Sequence, residues 1–485
     1  MKNVFIVSST YGGERLGLQI LAQISKDAGM ETFFYALDSM EEENLINVIC
    51  DIKPDIISYS AMTYEHTQIH GLNDKLKKRI SFISIFGGPH YTFNPEEIEK
   101  NEHMDVLCVG EGDTAFKTFL ERIKTNSDFR QVSNLIVRQD KTLYKNKVAP
   151  LIEDLDELPF ADRGLIPLDK KGNRFLGNYC SFMISRGCPY QCTYCFNSAY
   201  NEIYRASKKK VRWRSIPNVI AEMKKIKQEK GIDYILLADD AVNFLPKEYI
   251  MEFCQRYKAE IALPFTAQFR PNLIDEETVK ALKEAGMICA NCGVETGDEE
   301  VANKMLKRGI TNSQIKNAFR ILNKYKIKNY SQNVIGLPVE NPVENAMKTI
   351  RLNIECKVNY AHFTLLVPFP KTPIEAYCRE NGYLPESVQD LKPSVFIKTT
   401  LKYKKEKYIR GINNLHKFSS IAVRFPFFLP LILLLIKLPE NIFFQYIYFL
   451  WHGFYRTVIL NEGKLSFSLL LNGLKQISGY LKQYK

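Results

Sequence analysis

The sequence predicts an α/β chain of more than one domain, with a doubly wound parallel sheet first, a partial (β/α)6 barrel next and a helical region at the end. Three observations carry this. The length, 485 residues, exceeds what one ordinary core supports. Short apolar runs alternate with helical stretches over residues 1–125, and the same alternation returns over 179–375. The last ninety or so residues change character and become strongly apolar.

In the first 125 residues the strand candidates are Val4–Ser8, Thr32–Tyr35, Ile56–Ser60, Phe82–Phe86 and Val106–Val109. Helical spacing is clearest after residue 16, where Leu16, Ile20, Leu21 and Ile24 share one face. Ligands of such sheets sit at the carboxyl ends of the strands. Here those ends read Ser8-Ser9-Thr10, Ser60-Ala61-Met62-Thr63, Gly87-Gly88-Pro89-His90 and Gly110-Glu111-Gly112. Small residues there let a large flat ligand approach the backbone.

Residues 126–178 read as a connector. Asn134–Val137 and Thr142–Tyr144 flank Gln139-Asp140-Lys141 as a hairpin, and an acidic, proline-containing stretch follows. The barrel region, 179–396, offers the strand candidates Phe182–Ser185, Tyr234–Ala238, Phe265–Arg270, Met287–Val294, Tyr330–Gly336 and Ala361–Val367. Six strand–helix units suit a partial barrel.

Residues 397–485 open with a basic stretch, Lys398 to Lys417, and continue through FPFFLPLILLLI and IFFQYIYFLWHGF. Three readings stand: a buried helical subdomain, an interfacial hairpin on a membrane face, and a transmembrane span. The last needs about 20 apolar residues, and Arg424, Pro426 and Pro430 interrupt this one.

Bulk composition excludes little. Hydrophobic residues make up 45% and charged residues 25%, a globular mix. The net charge of +12 fits an anionic substrate, RNA or an acidic membrane surface about equally. Eleven cysteines, scattered except for one cluster, argue against a disulfide framework and for a reducing, cytoplasmic setting.

That cluster carries the chemistry. Cys188, Cys192 and Cys195 lie in Cys-x3-Cys-x2-Cys spacing within Ser185-Arg186-Gly187-Cys188-Pro189-Tyr190-Gln191-Cys192-Thr193-Tyr194-Cys195-Phe196-Asn197. Soft thiolates select iron–sulfur clusters, zinc or Cu(I). A 4Fe-4S cube is normally held by four cysteines, so three leave one iron open. Structural zinc wants four ligands in paired spacings. The remaining Cys-x2-Cys pair, Cys289 and Cys292, falls inside an apolar strand and reads as core, as do Cys180 and Cys378.

The loop, at the end of a first barrel strand, resembles that of the radical S-adenosylmethionine (SAM) superfamily. The resemblance runs on through 179–375. It implies that SAM chelates the open iron and is cleaved by one electron to a 5′-deoxyadenosyl radical. It implies SAM contacts from Tyr194 and Phe196 in the loop and from Asp239-Asp240 after the second strand. It adds Glu295 in Gly293-Val294-Glu295-Thr296-Gly297, Arg308 in Lys307-Arg308-Gly309, and Gly336 before Leu337-Pro338. An external electron donor, such as a flavodoxin or ferredoxin, is implied with them.

The first 125 residues resemble the cobalamin-binding domain fused to many radical SAM proteins, a Rossmann-like fold. The matching pieces are Leu16-Gly17-Leu18, Gly87-Gly88-Pro89-His90, Pro95-Glu96-Glu97 and Val109-Gly110-Glu111-Gly112, with Asp154-Leu155-Asp156-Glu157-Leu158-Pro159 as the shared connector. The resemblance implies cobalamin contacts from Ser9, Thr10, Leu16, Ser60, Met62, Thr63, Gly87, Gly88, His90, Gly110, Glu111 and Gly112. It departs from the pattern in one respect. None of the seven histidines lies in Asp-x-His-x-x-Gly, so no His from that motif sits beneath the cobalt, and His90 reads as a corrin contact or a turn residue.

Three functions follow as expectations: methylation of an unactivated carbon, a non-methylating reaction such as the ring closure of anaerobic porphyrin-ester cyclases, and a non-catalytic sensor. Methylation leads. The C-terminal aromatics and leucines point to a small apolar or lipid-like substrate and to peripheral membrane association. Lys402, Lys404, Lys405, Lys407 and Arg410 suit a phosphate or an anionic surface. Nucleic acid is not expected as a partner. Tyr330, Tyr360 and Cys378 are weaker substrate-side candidates.

Overall fold

The computed structural model describes residues 1–9, 14–63, 65–166, 179–384 and 396–455. Two compact units emerge, one of residues 1–169 with 199–212 and one of 170–198 with 213–485.

The first unit is built on a seven-stranded sheet. Its strands are β1 (Lys2–Val7), β2 (Glu31–Ala36), β3 (Ile56–Ser60), β4 (Ile83–Gly87), β5 (Val106–Cys108), β6 (Leu135–Gln139) and β7 (Thr142–Lys145). The order is β2-β1-β3-β4-β5-β6-β7, parallel through β5. Both faces are covered. Val4 and Ile6 of β1 enter one core with Leu45, Ile49 and Leu72, and Phe5 and Val7 enter the other with Leu18, Ala22 and Phe116. A parallel sheet buried on both faces reads as a continuous apolar run, which is why these strands are visible in the sequence.

The hairpin expected in the connector completes this sheet. β6 pairs antiparallel with β5, and β7 with β6, around a left-handed Asp140. Leu135 and Val137 join the same core as Phe5, so their burial, not their place in the chain, decides where they dock.

The second unit holds six parallel strands: β8 (Tyr179–Phe182), β9 (Tyr234–Leu237), β10 (Phe265–Phe269), β11 (Met287–Glu295), β12 (Lys328–Ile335) and β13 (Tyr360–Leu365). They lie in sequence order, β13-β12-β11-β10-β9-β8, as a partial barrel requires. Strand β8 ends three residues before the predicted one, because Asp239 takes the backbone N–H of Ile184 and Ser185 as the chain turns into the cysteine loop.

Helix α14 (Glu406–Arg424) lies on β13, where a ring nitrogen of His416 bonds the Phe363 carbonyl at 2.9 Å. The basic stretch is mixed. Lys402, Lys404, Lys405, Lys407 and Arg410 are exposed. Lys417 is buried, donates to the carbonyls of Ile397 (2.6 Å) and Phe396 (3.2 Å), and is pushed down to about 7 by that burial. After α14 come two short helices, α15 (Leu429–Leu435) and α16 (Ile442–Phe454). Ile432, Ile436 and Phe444 pack into the core, whereas Phe427, Leu434 and Phe443 stay 72%, 61% and 74% exposed. Among the described residues no helix is long and apolar enough to cross a membrane.

Candidate active site

The cysteine loop leaves β8 through Gly187, whose φ is +96°. It is fastened from two sides: the Thr193 N–H and hydroxyl donate to the carbonyls of Leu306 (3.1 Å) and Met305 (2.7 Å), and the Thr193 carbonyl accepts from the Ile374 N–H (3.1 Å). Cys192 is buried and Cys188 and Cys195 are partly so, and none of the three is in a disulfide. Burial pushes the Cys188 thiol up to about 11 and that of Cys195 up to about 12. A thiol that resists ionising on its own becomes a thiolate by coordinating a metal. Three soft donors on a pinned loop, with no fourth thiol from the chain assigned to them, fit a 4Fe-4S cluster with one open iron.

Asp239 and Asp240 do different things. Asp239 is buried, and one carboxylate oxygen accepts from the Ile184 N–H (3.1 Å), the Ser185 N–H (2.5 Å) and the Ser185 hydroxyl (2.5 Å). Burial raises its carboxyl to about 7, against the pull of the Ser185 hydrogen bonds. Its other oxygen has no hydrogen-bond partner. Asp240 accepts from the Asn197 amide at 2.8 Å, and burial raises its carboxyl too. The pair thus anchors both ends of the cysteine loop.

Glu295 and Arg308 meet beside the loop. Glu295 closes β11 at φ +68°, a left-handed conformation that costs a non-glycine residue of order 1–3 kcal/mol and marks functional strain. Its carboxylate lies 3.7 Å from the buried Arg308 guanidinium. Burial raises the Glu295 carboxyl, and Arg308 pulls it back down. Arg308 also donates to the Tyr194 hydroxyl at 2.7 Å and to the Gly293 carbonyl. A turn of π-helix, Val301–Met305, brings Arg308 round to this place. Gly297 follows, where a Cβ would lie 2.5 Å from the Lys348 carbonyl, so the helix Pro342–Glu355 can approach only a glycine. Gly336, at φ +69°, ends β12 as expected, while Phe196 stands 47% exposed.

Arg270, absent from the expected set, belongs here. It directly follows β10, is buried, stacks on the Tyr190 ring with its guanidinium carbon 3.5 Å from the centroid, and lies 4.0 Å from Cys192 Sγ. It also donates to the Arg308 carbonyl. An arginine at the carboxyl end of a barrel strand was the available signal.

Tyr330 and Tyr360 lie together at the opposite ends of their strands, 5.2 Å between ring centroids, with Tyr360 stacked on Tyr455. Cys378, Cys289, Cys292 and Cys180 are buried core thiols.

In the first unit the strand ends form a separate site. Ser60, Gly87, Gly88 and His90 come together: the His90 N–H donates to the Ala61 carbonyl (3.1 Å), and the Ser60 hydroxyl lies 2.9 Å from where a Gly88 Cβ would be. Met62 stands 49% exposed beside them, and Ser9 bonds Asp38 at 2.5 Å. The Thr63 carbonyl holds His66 at 2.5 Å. Leu16 is buried at the start of helix α1 (Leu16–Asp27). Thr10 lies outside the described residues.

Two expected contacts are engaged differently. Glu111 receives the buried Arg212 guanidinium at 2.7 and 2.9 Å, so its carboxylate serves an internal ion pair. His90 is only 4% exposed, stacked on His66 with ring centroids 4.1 Å apart. Small residues with one exposed thioether among them fit the face of a large flat macrocycle such as a corrin. Tyr204 and Arg212, both unforeseen, complete this end of the sheet: the Tyr204 hydroxyl accepts from the Glu111 N–H at 2.7 Å.

Comparison with known proteins matches a family model to each of the two domains. The B12 binding domain family model matches residues 2–120, and that of the Radical SAM superfamily matches 182–352. An uncharacterized methyltransferase of Pyrococcus horikoshii is 27% identical over 77% of this chain and 80% of its own length. The anaerobic magnesium-protoporphyrin IX monomethyl ester cyclase of Cereibacter sphaeroides is 25% identical over 72% of this chain, which spans 58% of that protein. In fold, the chain resembles the cobalamin-dependent SAM radical enzyme OxsB (TM-score 0.68, 15% identity, all of this chain and 75% of that one). It also resembles the radical SAM methyltransferase TsrM of Kitasatospora setae (TM-score 0.66, 16% identity, 84% and 83%). This chain thus carries a B12-binding domain followed by a Radical SAM domain whose loop holds three cysteines.

Proposed function

We propose that the protein is a cobalamin-dependent radical SAM C-methyltransferase acting on a small apolar or lipid-like substrate. The observation that carries this is the pairing of a three-thiol loop, flanked by the half-buried Glu295 and the buried Arg308, with a domain whose strand ends suit a corrin. When bound, the cluster with SAM supplies a 5′-deoxyadenosyl radical and cobalamin supplies the methyl group.

The chain's own residues do the rest. Cys188, Cys192 and Cys195 would hold the cluster. Arg308 offers a fixed positive charge to the SAM carboxylate, and Glu295 a negative one to its amino group. Asp239 and Asp240 hold the loop in register, and Gly336 lets the backbone approach the adenine. Among the cobalamin contacts, Gly87 would offer bare backbone to the macrocycle, while Gly88 is kept a glycine by Ser60 and Ala61. An external one-electron donor, of flavodoxin or ferredoxin type, completes the set.

The substrate class rests on apolar surface. Phe427, Leu434 and Phe443 are largely exposed, and the chain is 25% identical to the hopanoid C-3 methylase of Methylococcus capsulatus over 61% of its length, or 56% of that enzyme's. With the exposed Lys402, Lys404, Lys405, Lys407 and Arg410, this surface supports docking on an anionic membrane face. Co-sedimentation with vesicles containing anionic lipid, lost on Phe427→Ser with Phe443→Ser, tests that part. Likeness to the magnesium-protoporphyrin cyclase supports a second reading, oxidative ring closure.

The deciding experiment incubates the cluster-loaded chain anaerobically with cobalamin, reductant and methyl-labelled SAM. Methylation predicts 5′-deoxyadenosine together with label on cobalamin and in an apolar extract. Deoxyadenosine without label transfer favours ring closure. Neither product, from a chain with full iron content, would overturn both readings.

A further inference from the structure

Three of the chain's seven histidines meet in the first unit. His66 opens helix α3 (His66–Lys77), and His90 sits in α4 (Pro89–Phe93). Glu97 begins α5 (Glu97–Lys100). One ring nitrogen from each of His66 and His90 and a carboxylate oxygen of Glu97 all lie within 4.8 Å of one another. The ring centroids of His66 and His70 are 5.5 Å apart.

His66 Nδ1–H donates to the Thr63 carbonyl at 2.5 Å, which leaves the lone pair on Nε2, where the Thr67 hydroxyl stands 3.4 Å away. His90 is buried; its Nδ1 lies 3.4 Å from the Asn94 side-chain amide, so ligation through Nε2 takes the other tautomer, and its Nε2 has no hydrogen-bond partner. The same holds for His70 Nε2. Stacked core imidazoles would ordinarily be satisfied, since a buried polar atom left unpaired costs about 1–3 kcal/mol. Within the ligand set, the buried Nε2 of His90 calls for a partner. Glu97 is kept charged by Lys100, whose ammonium lies 2.7 Å away, and so brings anionic charge to the cluster.

We propose that His66, His90 and Glu97 form a binding site for one divalent transition-metal ion, with zinc as its natural probe. Two imidazoles and a carboxylate with an open position is a common zinc set, with bonds of about 2.0–2.2 Å. Because the two rings are stacked 16° from parallel, closing on one ion requires at least one imidazole to turn about its side-chain torsions. The site does not depend on the methylation reading and uses none of the thiols.

The test is zinc content and affinity in the full-length, cluster-loaded chain, set by a zinc–chelator buffer and read by elemental mass spectrometry. One equivalent of zinc is expected in the unaltered chain, with affinity reduced at least about tenfold by His66→Ala and by Glu97→Gln. His103→Ala, a histidine of the same unit outside the cluster, should leave it unchanged. Zinc should also raise the melting temperature of the unaltered chain and not that of Glu97→Gln, a near-isosteric change that preserves packing. An unaltered chain that takes up no zinc, or equal affinity in His66→Ala and Glu97→Gln, overturns the proposal.

Discussion

Arg308 donates to the phenolic oxygen of Tyr194 at 2.7 Å, tying a residue inside the cysteine loop to one that follows the fourth barrel strand. The positive charge proposed for SAM is therefore positioned by the same segment that carries Cys192 and Cys195. Tyr194→Phe removes the acceptor from a buried guanidinium. Destabilisation of about 1–3 kcal/mol is expected by chemical denaturation of the cluster-loaded chain, with slower 5′-deoxyadenosine formation. Arg308→Lys should not restore that rate, because an ammonium lacks the planar fork that reaches Tyr194 and Gly293 together.

Asp239 sets a pH dependence in the metal-free chain. Its folded value, about 7, lies above that of an unfolded aspartate, about 3.9. The folded state binds this proton more tightly, so the contribution is full below the unfolded value and is lost as pH rises to 7. Asp239→Asn keeps an acceptor oxygen for Ile184 and Ser185 but cannot titrate. Relative to the unaltered chain, the variant should gain stability between pH 5 and pH 8; no change in that difference would refute the assignment.

Gly110 has φ +81°, and a Cβ there would land on the Tyr204 hydroxyl. Gly110→Ala should lower the stability of the first unit by about 1–3 kcal/mol. Trimming the neighbour with Tyr204→Phe should relieve only part of this, because the backbone conformation stays unfavourable. Thermal melts of the single and double variants separate the two contributions.

Arg212 and Glu111 form an ion pair whose arginine is buried. Arg212→Ala leaves Glu111 without its partner and should cost about 3–5 kcal/mol, whereas changing both residues to apolar ones of similar volume should cost much less. A double-mutant cycle measures the difference.

The strands of both sheets were legible because each is an apolar run between turn residues. Ile56–Ser60 matches residue for residue, and most others shift by one to three positions. The three cysteines were legible from spacing alone. What the sequence hid is long-range pairing. Nothing local marks Arg212 as the partner of Glu111, or Arg270 as the cation above Tyr190, since each pair is separated by dozens of residues. The hairpin at 135–145 was visible, but its attachment to β5 depends on a core formed elsewhere. Lys417 read as one more surface lysine until its helix was seen to turn it inward.

Residues 199–212 complete the first unit although they follow the cysteine loop. Tyr204 and Arg212 supply the hydroxyl and the charge that close the end of β5 around Asn134 and Glu111. A chain cut at residue 169 would keep every strand of the first sheet and still lack those two side chains. During synthesis, therefore, the N-terminal sheet reaches its final form only after residues 199–212, and with them the thiol loop, have left the ribosome.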